Sequence, residues 1–332
     1  MKAILQPRYG SLDVLKLKEV QKPTPSDDEV LVSIQASSIN YNILVLVSGK
    51  PFLGRLMGMG LLEPKEKIPG NDISGRVEAI GKNVKQFQPG DEVYGDLFQC
   101  GKGAFAEYVS VPENAIALKP VNLSFEEAAV VPEAAVVALQ ALRDKGKIRK
   151  GQKVLICGAS GGIGTFAVQI AKSFGAEVTG VCGTRNLERV RSIGADHVID
   201  YTKEDFTKNG QKYDLILATA GYRSIFDYKR ALTPRGIYVA TGGSMKGPKA
   251  MAQIFQAMLL GPWISMTGSK KLGALTLRIS QKDLVFIKEL IEAGKVKPVI
   301  DRQYPLSEAV TALRYYEEGH TIGKVGITVN GI

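Results

Sequence analysis

Val154-Leu155-Ile156-Cys157-Gly158-Ala159-Ser160-Gly161-Gly162-Ile163-Gly164 reads as a buried strand, a glycine-rich turn and the first turn of a helix. The helix continues through Thr165-Phe166-Ala167-Val168-Gln169-Ile170-Ala171-Lys172. A helix that opens beside bare backbone leaves its first N–H groups without partners. With the positive end of the dipole, those donors make an anion site suited to a pyrophosphate. Gly161 lets a phosphate approach the backbone, and Gly164 lets the helix lie close to its strand. A bare glycine spacing is weak; strand, turn and helix in this order are the context a dinucleotide-binding fingerprint requires. Gly158, Ser160, Gly161, Gly162, Ile163 and Gly164 are the expected phosphate cradle.

In such a fold the second strand ends about 20 residues after the last glycine. Glu177-Val178-Thr179-Gly180-Val181-Cys182 fits that strand, and Cys182, Gly183, Thr184 and Arg185 form its tip. A free ribose 2′-hydroxyl calls for Asp or Glu at this place, and the tip has neither. Thr184 and Arg185 offer a hydroxyl and a guanidinium fork instead, which suit a 2′-phosphate. NADP(H) is therefore expected over NAD(H). The plainer alternative is that Arg185 is a solvated residue at a helix start.

The 332 residues are enough for two domains with separate cores. Apolar content of 45% and charged content of 23% are ordinary for a globular protein. The formal charge of +10 comes from scattered lysines and arginines. A phosphate-rich ligand accounts for part of it, and nucleic acid is not the expected partner. The three cysteines, Cys100, Cys157 and Cys182, show neither a disulfide frame nor a four-thiolate zinc spacing. The chain opens on Met1-Lys2-Ala3-Ile4-Leu5 without a signal-peptide core, and Met251 to Met266 is too interrupted to span a bilayer. A cytoplasmic protein with no membrane partner is expected.

Before residue 122 the pattern is short strands divided by Gly and Pro turns, a β-rich and barrel-like domain. Ser124 with Glu127 makes a capping box that opens an Ala/Val-rich helix, which Pro132 should kink or divide. From Gly151 strand and helix alternate. The expected strands are Lys153–Cys157, Glu177–Cys182, His197–Asp200, Leu215–Thr219, Gly236–Ala240 and roughly Trp263–Thr267. Six of them imply a doubly wound parallel sheet. After residue 267 a second capping pair, Ser280 with Asp283, opens another helix, and a last strand follows at Lys324–Asn330. These pieces fit best against the N-terminal domain. The expected division is thus 1–122 with 268–332 against 123–267.

Several stretches together resemble the medium-chain dehydrogenase/reductase superfamily, and within it the zinc-free quinone oxidoreductase group. They are Ser38-Ile39-Asn40-Tyr41, Pro69-Gly70-Asn71-Asp72-Ile73-Ser74-Gly75, Gln88-Pro89-Gly90-Asp91-Glu92-Val93 and Gly103-Ala104-Phe105-Ala106-Glu107-Tyr108. The glycine loop and Ile193-Gly194-Ala195-Asp196-His197-Val198-Ile199-Asp200-Tyr201 complete the set. The resemblance implies an α/β fold: a Rossmann doubly wound parallel sheet plus a discontinuous GroES-like β-barrel domain. It also implies Tyr201 along the cofactor, and Ala220, Gly221, Gly242 and Gly243 at its nicotinamide end. Lys324 is expected either at a phosphate or, more plainly, on the surface.

Zinc members of the superfamily carry Cys where Asn40 stands and Gly-His-Glu where Gly70-Asn71-Asp72 stands. Amides are poor zinc ligands beside thiolate and imidazole, so no metal is expected. Without that Lewis acid, reduction of an electrophilic quinone or α,β-unsaturated carbonyl fits better than alcohol oxidation. A zinc-free alcohol dehydrogenase stays open as an alternative, as does a structural or RNA-associated cofactor-binding protein of crystallin type. Asn40 and Tyr41 are the expected donors to the developing carbonyl oxyanion; the plainer alternative is that Tyr41 packs in the cleft wall and Asn40 orders the loop, and the proton can equally come from water.

This chain departs from the resembled pattern at Ala159, at Val137 (where a threonine often touches the nicotinamide), at Glu133 (a small or apolar place) and at Ile322. Pro51 to Lys67, rich in Leu, Met and Gly, reads either as a lid over an apolar substrate or as a surface loop. A homodimer is expected, joined through the edge strand at Trp263–Thr267.

Overall fold

The computed structural model describes residues 1–221, 223–243 and 252–329. The chain forms two compact units. One comprises Met1–Glu133, Ile279–Glu292 and Ile300–Ile332; the other comprises Ala134–Arg278 and Ala293–Val299. The first boundary thus falls at Glu133, inside the Ala/Val-rich helical region, and not at 122.

The second unit is built on six parallel strands: β1 (Lys153–Cys157), β2 (Glu177–Cys182), β3 (His197–Asp200), β4 (Tyr213–Ala220), β5 (Leu232–Gly243) and β6 (Lys271–Ala274). Their order, β3-β2-β1-β4-β5-β6, is the doubly wound arrangement, and it reverses between β1 and β4. Strands covered on both faces need continuous apolar runs, and Val154, Leu155, Ile156, Leu215, Ile216 and Leu217 are all fully buried. Tyr228 and Tyr238 stack at 4.3 Å in the core beside Ile216 and Ile225. Each fully buried aromatic or aliphatic side chain contributes roughly 1.5–3 kcal/mol.

One expectation is corrected here. Trp263–Thr267 is not a strand; it ends a helix spanning Ala252–Thr267, and the sixth strand is Lys271–Ala274. The reason is visible in the buried positions Gln253, Ala257, Gly261 and Ile264, whose spacing of four, four and three is helical. Pro262 is accommodated within that helix. Gly261 is the contact point: a Cβ there would lie 2.5 Å from the Leu272 carbonyl oxygen, so glycine lets the helix rest on β6. The sheet edge is accordingly β6.

In the first unit Glu29–Ser38 is the central strand. It pairs antiparallel with Asp72–Ile80, with Tyr108–Pro112 and with Lys324–Thr328. Asp72–Ile80 in turn carries Glu92–Asp96, and Ile300–Pro305 lies beside Lys324–Thr328. The late segments therefore complete the N-terminal sheet. The helix Gln281–Glu292 joins the same unit, where its Leu284 carbonyl accepts from the buried Tyr94 hydroxyl at 2.6 Å. The Ser124–Glu127 capping box forms reciprocally, and the helical region divides into Phe125–Ala129 and Pro132–Leu139 at Pro132.

The Leu- and Met-rich stretch forms short helical turns, Phe52–Gly54 and Arg55–Met59. The Tyr9 hydroxyl donates to the Met59 and Gly60 carbonyls at 2.7 Å, and the Arg55 guanidinium covers the Tyr9 ring. Leu56, Leu61 and Leu62 stay exposed on it. Among the described residues no helix is long and apolar enough to cross a membrane.

Gly164 decides how the fingerprint helix docks. A Cβ at that position would sit 2.0 Å from the Gly158 carbonyl oxygen, a clash with backbone that cannot rotate away. Gly164→Val is expected to destabilise the protein by about 3 kcal/mol or more, the upper range of overpacking. Urea unfolding checks it; an unchanged midpoint would show that helix and turn do not approach this closely.

Candidate functional site

The two units present two groups of chemistry, each built within its own unit. In the Rossmann unit the helix Gly162–Ser173 begins at Gly161, which has no capping side chain. The turn is tied down by backbone: the Gly158 and Ala159 N–H groups both donate to the Val181 carbonyl at 3.0 Å, and Gly161 N–H donates to Gly158 at 3.0 Å. A Cβ on Gly161 would meet only the Gly158 oxygen, at 3.5 Å, so the space above the helix start is open.

At the tip of β2 the Thr184 hydroxyl donates to Asp200 Oδ2 at 2.6 Å. Asp200 stands at the end of β3, register partner of Cys182, and Thr202 donates to its Oδ1 through both hydroxyl and N–H. These bonds, led by the Thr184 hydroxyl, hold the Asp200 carboxyl below its ordinary value. Sequence reasoning found no acid at this tip because Asp200 comes from the neighbouring strand. Only sheet register brings it there.

Asn186, also missed, donates to Ser160 Oγ at 3.2 Å, and its buried Oδ1 has no partner among the described residues. Arg185 is exposed. Tyr201 is 59% exposed and its ring lies against Gly183. Ala220 and Gly243 are register partners at the ends of β4 and β5, and the Thr219 hydroxyl donates to the Cys157 carbonyl at 2.8 Å, joining β4 to β1. Gly221 follows β4, and Gly242 precedes Gly243 within β5. The fold thus brings the sequence-designated loop residues of this unit to the carboxyl ends of its strands, with Gly158 and Ala220 meeting at the switch point between β1 and β4, where such sheets take ligands.

The other unit carries a buried polar cluster. Lys324, expected at a phosphate or on the surface, is 3% exposed. Its Nζ donates to the Ile39 carbonyl at 3.1 Å, to Asn40 Oδ1, and to Asp72 Oδ2 at 3.4 Å. Asn40 Nδ2 donates to Asp72 Oδ2 at 2.8 Å and to Asn71 Oδ1 at 3.5 Å. Both ends of the Asn40 amide are therefore spent inside the cluster, and its expected role as a free donor to substrate is corrected to a structural one.

Tyr41 opens the helix Tyr41–Ser48 and is partly exposed. Asp72 also accepts from the Ser38 hydroxyl at 2.7 Å and from the Glu133 N–H at 3.0 Å. Glu133 Oε2 accepts from Asn71 Nδ2 at 2.7 Å and from Asn42 Nδ2 at 3.0 Å.

Oxygen atoms of Asp72, Asp96 and Glu133 lie within 4.8 Å of one another. Two unit charges that close repel by roughly 3 kcal/mol at an effective dielectric constant of about 20, so simultaneous ionisation of all three is costly. Burial first, then Asp72 and Glu133, push the Asp96 carboxyl well above its ordinary value. Burial first, then Asp72, raise Glu133 to about 7, against the lowering pull of Lys324 and the two amides.

Comparison with known proteins shows the family of the chain. Residues 26–121 match the alcohol dehydrogenase GroES-like domain, and residues 193–325 match a family described as zinc-binding dehydrogenase. A 2-methylene-furan-3-one reductase of Solanum lycopersicum is 35% identical over 98% of this chain and 79% of its own length. The NADPH-dependent alkenal/one oxidoreductase, chloroplastic, of Arabidopsis thaliana is 32% identical over 98% of this chain and 78% of its own. The solved quinone oxidoreductase from Coxiella burnetii superposes with a TM-score of 0.85 at 28% identity, covering 99% of both chains.

Two groups follow from that kinship. A nicotinamide dinucleotide fits the open helix start, the glycine turn and the orphaned Asn186 Oδ1. Zinc does not fit the polar cluster. Its donors are carboxylate and amide oxygens with no thiolate or imidazole, and the Lys324 ammonium already takes the contacts a cation would make.

The raised Glu133 carboxyl has a consequence for stability. The folded chain keeps a proton that the unfolded chain releases above its ordinary value of 4.5. That stabilisation is complete below about pH 4.5 and is lost as pH rises through about 7. Stability should fall over this window with a slope from Glu133 of at most about 1.4 kcal/mol per pH unit. Unfolding curves for the natural chain and for Glu133→Gln, run across the window, check it; equal slopes would remove Glu133 as the source.

Proposed function

Since the chain belongs to the quinone oxidoreductase-like branch of the medium-chain dehydrogenase/reductase superfamily and is an oxidoreductase, we propose that it reduces quinones or α,β-unsaturated carbonyls with NADPH and without a metal. The observation that carries this is the internal cation of the polar cluster. Lys324 provides positive charge where a zinc enzyme would use its ion, and a fixed, fully bonded ammonium cannot coordinate and activate an alcohol as a Lewis acid does. An acceptor that is already electrophilic needs no such activation.

The nicotinamide cofactor, when bound, supplies the hydride, and the protein contributes position and polarity. The start of helix Gly162–Ser173 holds the pyrophosphate through N–H groups and dipole. Tyr201 flanks the adenosine half beside Gly183. Arg185, exposed at the tip of β2, is the cation for a 2′-phosphate. Asp200 acts on the same tip by fixing Thr184, and its carboxylate is occupied by Thr184 and Thr202. Tyr41, partly exposed beside the cluster, is the hydroxyl that bonds the developing oxyanion of the acceptor. A homodimer is the assembly this reading carries; Met258, Leu259, Trp263 and Met266, exposed on the helix that rests on edge strand β6, support it.

Two substitutions test the reading, each with NADPH consumption followed against quinones and alkenals. Arg185→Ala should weaken NADPH binding by about 10- to 100-fold, the loss expected for a hydrogen bond to a charged group, and leave NADH binding unchanged. Equal affinity of the natural chain for both coenzymes would refute the 2′-phosphate assignment. Tyr41→Phe should lower turnover at least several-fold with NADPH affinity unaltered; unchanged turnover would take Tyr41 out of the chemistry.

A further inference from the structure

Reduction of an enone or quinone consumes one proton for each hydride, and none of the groups assigned so far provides it. We propose that Glu133 delivers that proton from a store shared by the Asp72–Asp96–Glu133 cluster, an assignment that rests on the reductase reading above.

The argument begins with charge. Three carboxylates lie within 4.8 Å of one another, and among the described residues the ammonium that compensates them is that of Lys324, bonded to Asp72. Two negative charges are left uncompensated in a largely buried place, and the least costly remedy is to keep protons there. Their environments differ. Asp72 accepts from Ser38, Asn40, Lys324 and the Glu133 N–H, four donors that suit an anion. Asp96 is buried, its Oδ1 accepts from Phe98 N–H at 2.7 Å, and its Oδ2 has no partner among the described residues. That is the setting of a carboxyl that keeps its proton.

Glu133 lies between these extremes. Both amides bond to its Oε2, which leaves Oε1 for a proton. It alone of the three is partly open to the outside, so it can exchange that proton with solvent or substrate. The charged and titratable groups that bear on it come from every surrounding element. Asp72 and Asp96 approach from strands Asp72–Ile80 and Glu92–Asp96, and Lys324 from Lys324–Thr328. Tyr316, on helix Ala309–Glu317, lies near both Glu133 and Tyr41 and is pushed upward by burial and then by those two groups. Burial first and then Asp72 outweigh the Lys324 ammonium and the two amides and raise Glu133 to about 7, where a general acid works best near neutral pH.

In the proposed step the nicotinamide cofactor, when bound, would supply a hydride, with the electron pair of the C–H bond it gives up, to form a new C–H bond at the β-carbon of an enone, and would itself be oxidised as the acceptor is reduced. The C=C pair shifts toward the carbonyl oxygen. The O–H bond of Glu133 then breaks, its electrons stay on the carboxylate, and the proton bonds to the enolate oxygen; the enol released isomerises to the saturated ketone. The new Glu133 carboxylate is met by the Asn42 and Asn71 amides and takes up a proton again from water. Tyr41 hydrogen-bonds the same oxygen.

The test uses the full chain with an alkenal and NADPH, comparing the natural protein with Glu133→Gln, which keeps shape and acceptor oxygen. Expected are a kcat lowered about 100-fold or more, loss of the fall in kcat as pH rises through about 7, and an NADPH Kd within about twofold. Infrared titration of the natural chain with 13C-labelled glutamate gives a second readout independent of turnover and of how the variant folds. A protonated glutamic acid band that fades through about pH 7 supports the store; absence of such a band overturns the proposal. A titrating band with unchanged kcat and pH profile in Glu133→Gln overturns delivery by Glu133 while the reductase reading stands. A natural chain that consumes no NADPH with any alkenal or quinone overturns the reductase reading and proton delivery together.

Discussion

The ammonium of Lys324 sits between the Ile39 carbonyl, the Asn40 amide oxygen and the Asp72 carboxylate, and three segments of the first unit are arranged around it. Three separate parts of the chain meet there: the loop after the central strand, the start of Asp72–Ile80 and the first residue of the last strand. A buried charge without partners is strongly destabilising, so each segment that supplies an acceptor is held in place by the penalty of leaving. The C-terminal strand is also bound by its ladder with Glu29–Ser38. Register and charge thus reinforce each other, since a slip by one residue would turn Lys324 to the other face of the sheet.

The same constraint explains why the cluster has no place for zinc. Zinc enzymes of this superfamily bring a divalent ion with its own charge. Here a side chain brings one charge, already bonded, and two amides at Asn40 and Asn71 carry none. Three carboxylates against one ammonium leave a deficit that protons must cover. An apolar side chain at residue 133 would relieve half of that deficit. Glu133 instead adds to it, which gives this chain a titrating group near neutrality.

The Rossmann unit works on a different principle. Its candidate binding surface is mostly backbone: a turn that needs glycine at Gly164 because a carbonyl lies directly beneath it, and strand ends that bring Ala220 and Gly243 side by side. Side-chain chemistry enters at the tip of β2, where Thr184, Asp200 and Thr202 interlock. There Asp200 shapes the loop on which Arg185 stands, a division of labour between fixing the tip and presenting charge.

Fingerprint, capping box, strand–helix alternation and two-part organisation were legible in the chain, because each depends on local spacing: glycine beside a strand, serine three residues before glutamate, apolar runs of strand length. The absence of thiol and imidazole at Asn40 and Asn71 was equally plain. Four features were decided only by tertiary structure. The helix Ala252–Thr267 hid behind Gly261 and Pro262, since the glycine's purpose is a contact with β6 that local pattern does not show. Asp200 reached the tip of β2 through sheet register. Lys324 was read as surface or phosphate-bound because a lone lysine gives no sign of burial. The meeting of Asp72, Asp96 and Glu133 needed three elements far apart in sequence to converge. Local structure is written in near neighbours, but charge balance is a property of space, and only the folded chain sets which charges share it.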